Sequence, residues 1–180
     1  MKQRISKASH AYRSLNNIWK SKKITTNTKI RIFNTNVKSV LLYGSETWKT
    51  TKAIIKQLQT FINKCLRKIL KIYWPDTISN TELLKRTNQE EIGTVIKRKT
   101  WRWIGHTLRK NNGDITKQAL DWTPQGTRKR GRPKETWRRS IQSDLNTNGL
   151  SWNTIKKEAK NRTRWRSTVE ALCSKGSERI

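Results

Sequence analysis

Clusters of lysine and arginine in this chain have the residue types and the spacing that suit the binding of phosphate groups. Cations held close together release counterions from a nucleic acid when they meet its phosphates, so the affinity falls steeply with salt. Arginine suits the task because its planar guanidinium makes two parallel hydrogen bonds to one phosphate. Three clusters have this character: Arg128, Lys129, Arg130, Arg132 and Lys134, followed by Arg138 and Arg139; Lys97, Arg98 and Arg102; and Arg162, Arg164 and Arg166.

The densest cluster lies in the stretch PQGTRKRGRPKETWRRS, residues 124–140. Two glycines and two prolines without a helical period predict an exposed loop over residues 124–133. Its core KRGRP, residues 129–133, resembles an AT-hook, in which the arginines of a Gly-Arg-Pro core enter the narrow minor groove of A·T-rich DNA. Two simpler interpretations stay open: a basic linker that contacts any phosphate backbone, and a solvated loop with no partner.

Trp101 is the aromatic residue that best fits stacking on a bound strand. It falls outside the apolar face of its predicted helix and is flanked by Lys99 and Arg102. An aromatic ring among cations suits stacking on a base or sugar. Other tryptophans recur at helical spacing with apolar residues, which favours packing in a core. They are Trp19, Trp48, Trp103, Trp137 and Trp165.

Catalytic residue types are not grouped as an autonomous enzyme requires. A two-metal polymerase or nuclease needs neighbouring carboxylates, whereas the four aspartates are scattered along the chain. His10 and His106 have no partnered nucleophile in view. Cys65 and Cys173 each lack a second ligand at metal-binding spacing, so both are expected to be reduced thiols. The sequence therefore predicts a chain that is not an enzyme by itself and that has no metal site and no cofactor.

The charge balance indicates a polyanionic partner. Among 180 residues there are 41 Lys or Arg and 12 Asp or Glu, for a net charge of +29. A surplus of that size repels itself in a compact chain, which favours nucleic acid as partner, with an anionic membrane surface as the lesser option. The amino-terminal segment lacks an apolar signal region, and no run approaches the roughly 20 apolar residues of a membrane span. We expect a nuclear or cytoplasmic protein that is not secreted and does not bind a membrane.

Apolar residues recur three and four positions apart, which predicts a mostly α fold. Leu, Ile, Val and Phe make up about a fifth of the chain, near the composition of disordered proteins, but nine tryptophans favour a modest core. The clearest helix is predicted over residues 51–73, with Lys64, Arg67, Lys68 and Lys71 opposite its apolar face and Pro75 as its stop. The other helices are predicted over residues 3–20, from Thr26 or Asn27 to Gly44, from Ser79 or Thr81, over 90–110 and 115–122, from Pro133 to Gly149, and over 151–172.

Several segments resemble, in sequence and in order, the region that follows the polymerase core in reverse transcriptases of non-LTR retrotransposons. The segments are RIFNTNVKSVLLYGSETW at residues 31–48, FINKCLRKIL at 61–70, WRWIGHTLR at 101–109, QALDW at 118–122, GRP at 131–133 and TWRR at 136–139. The resemblance extends over nearly the whole chain. It is carried by the set of motifs and their order.

The resemblance implies a fragment made of the helical thumb and the C-terminal extension of an endonuclease–reverse transcriptase. In that family the thumb packs on the template–primer duplex, and the extension helps bind element RNA or target DNA. The basic face of the helix over residues 51–73 would then contact the duplex backbone. The fingers and palm, with the catalytic aspartates and the Mg²⁺ they bind, are expected to precede residue 1 and to be the protein partner of this fragment.

These interpretations divide the chain into five parts. A helical thumb-like region would span residues 1–74 and a helical connector residues 75–123. The basic loop would span residues 124–133, with Pro133 at the first position of the next helix and Trp137 anchoring that helix by packing. C-terminal helices over 134–173 and a disordered tail over 174–180 would complete the chain.

Two other functions stay open at this point. An independent DNA-binding module would use the AT-hook-like core and would prefer A·T-rich duplex. A decayed mobile-element reading frame would have no present activity and would melt without cooperativity.

Replacement of Arg128, Lys129, Arg130 and Arg132 by glutamine tests the basic loop. If the chain neutralises about six phosphates of duplex DNA, a plot of log affinity against log salt should have a slope of about −5. Loss of the four cations should flatten that slope by about three, as measured by fluorescence anisotropy of labelled duplex. An unchanged slope would show that the loop contacts no phosphate.

Overall fold

A computed structural model describes residues 1–122, 126, 131 and 136–174 of the chain. Regular structure in these ranges is entirely helical, which confirms the mostly α fold. The chain forms two compact units: Met1–Ser45 with Thr50–Ile96, and Glu46–Lys49 with Lys97–Ile180. The five-part division drawn from the sequence stays a prediction. No helix in the described ranges is both long and apolar enough to cross a membrane.

Each unit is built from short helices. The helices of the first unit are α1 (Lys2–Ser14), α2 (Asn16–Lys20), α3 (Thr26–Ile32) with a π-helical continuation (Phe33–Lys38), α4 (Ser39–Leu41), α5 (Lys52–Ile69) and α6 (Asn80–Arg86). The division between the units falls inside α7 (Ile92–Leu108). The second unit adds α8 (Ile115–Asp121), α9 (Trp137–Thr147), α10 (Trp152–Glu158) and α11 (Arg162–Ser174).

Side-chain caps start many of these helices. Thr51, Ser79 and Ser151 each accept a hydrogen bond from a backbone N–H three residues on, which satisfies a donor that the first helical turn leaves unpaired. Of the two predicted starts for α6, Ser79 is confirmed, and the predicted start of a helix at residue 151 is confirmed with Ser151 as its cap. The cap of α3 was placed one or two residues too late, because Thr25 is the extended residue whose Oγ1 accepts from the N–H of Thr28.

The single helix predicted over residues 3–20 is wrong, because it is divided at Leu15. The carbonyl of Tyr12 accepts hydrogen bonds from the N–H of Leu15 at 3.3 Å and from the indole Nε1 of Trp19 at 2.6 Å. The rings of Tyr12 and Trp19 stack with centroids 5.1 Å apart. These contacts fix α2 against the end of α1 and bury Trp19.

Helix α5 ends at Ile69, four residues earlier than predicted and without the help of Pro75. Lys71 has a left-handed backbone with φ of 58°. Its N–H donates to the carbonyl of Lys68 at 3.2 Å, and the N–H of Ile72 donates to the carbonyl of Arg67 at 3.0 Å. This pair of bonds is the Schellman motif, which normally places glycine at the left-handed position. A lysine there costs about 1 kcal/mol of backbone strain.

The helices at the carboxyl-terminal end also differ from prediction. Helix α9 begins at Trp137, with Thr136 as its cap, so a start at Pro133 is wrong. The single helix over 151–172 is two helices, because the Oδ1 of Asn161 accepts from the N–H of Thr163 and of Arg164 and starts α11 separately. The helix end predicted at Gly149 is confirmed, since Gly149 directly follows the C-cap of α9 with φ of 67°; α4 ends at Leu41, three residues before the predicted Gly44, which has φ of 70°.

The core of the second unit depends on a close approach between α7 and α11. The indole of Trp165 lies over Gly105 and donates from Nε1 to the carbonyl of Trp101 at 3.2 Å. The rings of Trp101 and Trp165 meet edge to face at 6.3 Å, and both are buried. A Cβ atom on residue 105 would come within 1.9 Å of that Nε1, so only glycine fits.

Gly105→Ala should destabilise the second unit by about 2–4 kcal/mol, because overpacking displaces Trp165 and removes its hydrogen bond. The matched control is Gly93→Ala on the same helix, where a Cβ would meet Ile55 at an ordinary 3.5 Å. That control should be neutral or should stabilise by up to about 1 kcal/mol, since alanine is the better helix former. Urea unfolding measures both, and equal effects would contradict the close approach.

Candidate nucleic-acid interface

A row of polar side chains on α5 holds the neighbouring segments of the first unit in place. Gln59 accepts from the N–H of Ile92 at 2.8 Å and donates to Asn63 at 2.8 Å. Asn63, which is buried, donates to the Oδ1 of Asn80 at 3.0 Å. Arg67 donates to the same Oδ1 at 2.8 Å and to the carbonyl of Ile78 at 3.2 Å. These contacts tie the N-termini of α6 and α7 to α5.

Arg67 therefore does not share a surface with the other three basic residues predicted on this helix. Residues 59, 63 and 67 are four apart and follow one side of α5. Lys64, Lys68 and Lys71 are exposed elsewhere and line a groove. The prediction treated the four cations as one face, but the hydrogen bonds of Arg67 give it a structural role within the unit.

The groove lies in the first unit, between α5 on one side and α1 and α2 on the other. Its volume is about 870 Å³. It is lined by Ser9, Tyr12, Arg13, Asn16, Trp19, Lys20, Phe61, Lys64, Cys65, Lys68, Lys71 and Tyr73. We call it the basic groove, because five of its lining residues are Lys or Arg. No carboxylate lines it among the residues that the structure describes.

The basic groove keeps its positive charge because acidic residues are absent from the segments that build it. Residues 1–75 contain 17 Lys or Arg and one acidic residue, Glu46, which belongs to the other unit. In the described part of the chain, none of the five groove cations makes an ion pair. An anion entering the groove would not have to displace a carboxylate.

The floor of the basic groove is aromatic and chemically inert. The hydroxyl of Tyr12 donates to the carbonyl of Cys65 at 3.3 Å. Burial raises the pKa of the Cys65 thiol to about 12, against the opposing effect of Lys68 and Lys64. Burial, with the neighbouring groups of Cys65 and Tyr73, also raises the pKa of Tyr12 above its usual range. Both groups are neutral at physiological pH, so the groove is suited to binding an anion and not to nucleophilic chemistry.

A second basic site lies between α7 and α11 in the second unit, with a volume of about 770 Å³. We call it the arginine cleft, and its lining residues are Arg102, His106, Arg109, Arg162, Trp165, Arg166, Val169 and Glu170. Unlike the basic groove it contains a carboxylate. Glu170 accepts from Arg98 at 3.2 Å and from Arg102 at 3.4 Å. The cleft is therefore partly neutralised within the chain.

Arg109 is held at the wall of the arginine cleft. Its guanidinium donates to the carbonyl of Ala159 at 2.9 Å. Burial, with the neighbouring charge of Arg162, lowers the pKa of Arg109 below its usual range. Arg162 and Arg166 are exposed and are the cleft residues that can reach a ligand without losing a carboxylate partner.

Other predicted binding residues of the second unit have intrachain partners. Lys97 pairs with Asp144 at 3.4 Å, and Arg164 pairs with Glu158 at 3.6 Å. Arg138 donates to the carbonyl of Leu120 at 2.8 Å and its guanidinium lies 5.7 Å from the centre of the Trp152 ring. Arg139 is exposed on the first turn of α9. A phosphate would compete with these contacts at Lys97, Arg138 and Arg164.

The prediction that Trp101 stacks on a base is wrong, because its side chain is 1% exposed. Helix α7 is covered on two sides: α11 packs on the side that carries Trp101 and Gly105, and Trp137 of α9 packs edge to face on Trp103 at 5.9 Å. The residues of the basic loop that were predicted to bind nucleic acid lie outside the described residues. They are Arg128, Lys129, Arg130, Arg132 and Lys134.

Four residues that line the two basic sites were not predicted from the sequence as binding residues. They are Arg13, Lys20 and Tyr73 in the basic groove, and Arg109 in the arginine cleft. Arg13 and Lys20 are seven residues apart, which is two turns of a helix, so a common face was visible in the spacing. Nothing in the spacing shows that this face lies opposite Lys64 and Lys68, since that depends on how α1 and α2 pack on α5.

Comparison with known proteins relates the chain to a mobile element. Over 157 residues it is 24% identical to an uncharacterized transposon-derived protein of Caenorhabditis elegans, an alignment that covers 80% of this chain and 55% of the relative. The chain thus spans about half the length of that protein. A family described as Domain of unknown function (DUF6451) matches residues 11–43. No solved structure matches the chain.

Arg67→Gln and Lys68→Gln should separate the structural face of α5 from its binding face. Arg67→Gln should lower the free energy of unfolding by about 1 kcal/mol, because a half-buried charged donor loses its hydrogen bonds. Lys68→Gln removes an exposed cation and should leave stability unchanged while flattening the salt dependence of nucleic-acid binding by about one unit of slope. Urea unfolding and anisotropy measure the two effects. The reverse pattern would place Arg67 in the interface.

Proposed function

We propose that this chain is a nucleic-acid-binding fragment of a non-LTR retrotransposon reverse transcriptase, and that the basic groove binds the sugar–phosphate backbone of its template–primer duplex. The observation that carries the proposal is the groove itself. Five cations from α1, α2, α5 and the turn after α5 converge there, with no lining carboxylate in the described part of the chain. Such a site gains affinity by releasing counterions from phosphates.

The arrangement of the cations suits a continuous backbone better than a small anion. Lys64 and Lys68 are one helical turn apart, which separates them by about 6 Å along α5. Arg13 and Lys20 lie on the opposite wall. Cations in rows on two walls can each contact a different phosphate of one strand. A single phosphate ion would leave most of them without a partner.

The mobile-element relationship supports the same function. The relative in Caenorhabditis elegans is transposon-derived, and the motifs that resemble a reverse transcriptase include FINKCLRKIL at residues 61–70, which supplies Lys64 and Lys68. In this proposal the chain does not catalyse polymerisation by itself. The palm domain of the longer protein would supply the paired aspartates and Mg²⁺.

The arginine cleft would add a weaker contact to the same partner. Arg162 and Arg166 are exposed beside it, whereas Arg98 and Arg102 are already paired with Glu170. Contacts that replace an existing ion pair contribute little net free energy, because one favourable interaction is exchanged for another. We therefore expect the basic groove to dominate affinity.

The test is fluorescence anisotropy with four labelled ligands across a salt series: single-stranded RNA, RNA–DNA hybrid, mixed-sequence duplex DNA and A·T-rich duplex DNA. The groove variant is Lys20→Gln, Lys64→Gln and Lys68→Gln together. The control variant is Lys52→Gln, Lys56→Gln and Lys85→Gln, which removes the same charge from exposed positions of the same unit outside the groove. The groove variant should flatten the salt slope by two to three units, about 0.7–0.9 for each phosphate that the protein no longer neutralises. The control should change it by less than about one.

The outcomes separate the possible functions. Tighter binding of RNA or hybrid, abolished in the groove variant, supports the proposal. Equal weakening in both triple variants would mean that net charge attracts the ligand without a defined site. A strong preference for A·T-rich duplex, competed away by netropsin, would favour the AT-hook-like core. Absence of binding at low salt would favour a decayed reading frame.

A further inference from the structure

Two aromatic side chains project into solvent just after α5. Trp74 is 89% exposed and Tyr73 is 60% exposed, and Tyr73 lines the basic groove. We call this pair the aromatic tip. Large apolar rings in water carry a hydration cost, so adjacent exposed rings indicate a surface that another molecule covers.

The backbone turn at Lys71 creates this exposure. A helix continuing to Tyr73 would carry residues 70–73 along the axis of α5, but the left-handed turn at Lys71 reverses the chain instead. The turn keeps Lys71 exposed at the groove and presents the next aromatic residues beyond it. Glycine would adopt this backbone without strain, so the lysine occupies this position against a local conformational preference.

The charge around the aromatic tip identifies its occupant as a polyanion. The groove that Tyr73 lines carries five cations, and no carboxylate lines it in the described ranges. A protein partner with an apolar patch would have to bring carboxylates to meet those cations. A nucleic-acid strand with unpaired bases brings both complements at once, because its phosphates suit the lysines and its base faces suit the rings.

We propose that the aromatic tip stacks on the first unpaired base of the template strand, at the point where that strand leaves the duplex and its phosphates continue along the basic groove. This inference rests on the proposed function and deepens it. Stacking is tolerant of sequence because every base has a flat face, so the tip would favour a strand with unpaired bases next to the duplex over a fully paired duplex, without reading sequence. Bases inside a duplex are already stacked and cannot stack on the tip.

A strand without bases provides the direct test. The full chain is titrated with a labelled oligothymidine and with an abasic strand of the same length, which keeps the phosphates and lacks the rings. Wild-type protein should bind the oligothymidine about tenfold more tightly than the abasic strand. Trp74→Ala should lose most of that tenfold preference by weakening oligothymidine binding, with unchanged affinity for the abasic strand and unchanged salt slope.

The matched control is Trp122→Ala, which removes the 65% exposed tryptophan of the second unit. It should bind both strands as wild type does. Trp74→Ala binding both strands like wild type would overturn the stacking role, as would an equal weakening for both strands. If wild-type protein bound the oligothymidine and the abasic strand equally well, the stacking role of the aromatic tip would be wrong, while phosphate binding by the basic groove would still hold. No binding of either strand at low salt would overturn the tip, whereas the basic groove is tested separately by the hybrid and duplex titrations of the groove variant.

Glycine at residue 71 tests whether the side chain of Lys71 contributes to binding. Lys71→Gly should raise the melting temperature, since strain is relieved, while flattening the salt slope for the single strand by about 0.7. The control is Asn88→Gly, where the backbone also has a positive φ, 48°, in the equivalent turn after α6. It should leave the slope unchanged. A Lys71→Gly variant with an unchanged slope would remove Lys71 from the binding site.

Discussion

Mutual repulsion among the cations of the basic groove is the constraint that the rest of the first unit must overcome. Five Lys or Arg side chains line one depression without a neighbouring carboxylate in the described part of the chain. What holds them is packing and hydrogen bonding: the stack of Tyr12 on Trp19, the buried face of α5, and the hydrogen-bonded row from Gln59 to Arg67. The unit thus uses packing and polar contacts to maintain a charge distribution that favours binding an anion.

The two units treat their surplus charge in different ways. In the second unit, Glu170, Asp144 and Glu158 each pair with arginine or lysine on the surface. In the first unit the groove cations have no such partner among the described residues. Surface ion pairs contribute little to stability, so their main consequence is a lower local potential. The basic groove, whose cations lack such pairs in the described ranges, therefore has the stronger local field for capturing a polyanion.

Particular residues show what periodicity can and cannot predict. The apolar face of α5 was predicted correctly, with Leu58, Ile62 and Leu66 buried, because one amphipathic face follows directly from a 3.6-residue period. The burial of Trp101 was missed because α7 is covered on two sides, and a single stripe marks only one. The structural role of Arg67 was missed because its partners, Ile78 and Asn80, are reached only through the turn after α5.

The sequence by itself determined the helical class, two of the cap positions and the abundance of cations, since these depend on local spacing and composition. It also showed the mobile-element resemblance, because motif order is a property of the chain alone. Tertiary structure decided which cations share a surface and which serve the fold. That choice depends on packing: Trp19 bonded to Tyr12, Gly105 beneath Trp165, and the turn at Lys71 bring together residues that are far apart in sequence or on different helices. The spacing of residues along the sequence does not give the distances between them in the folded chain.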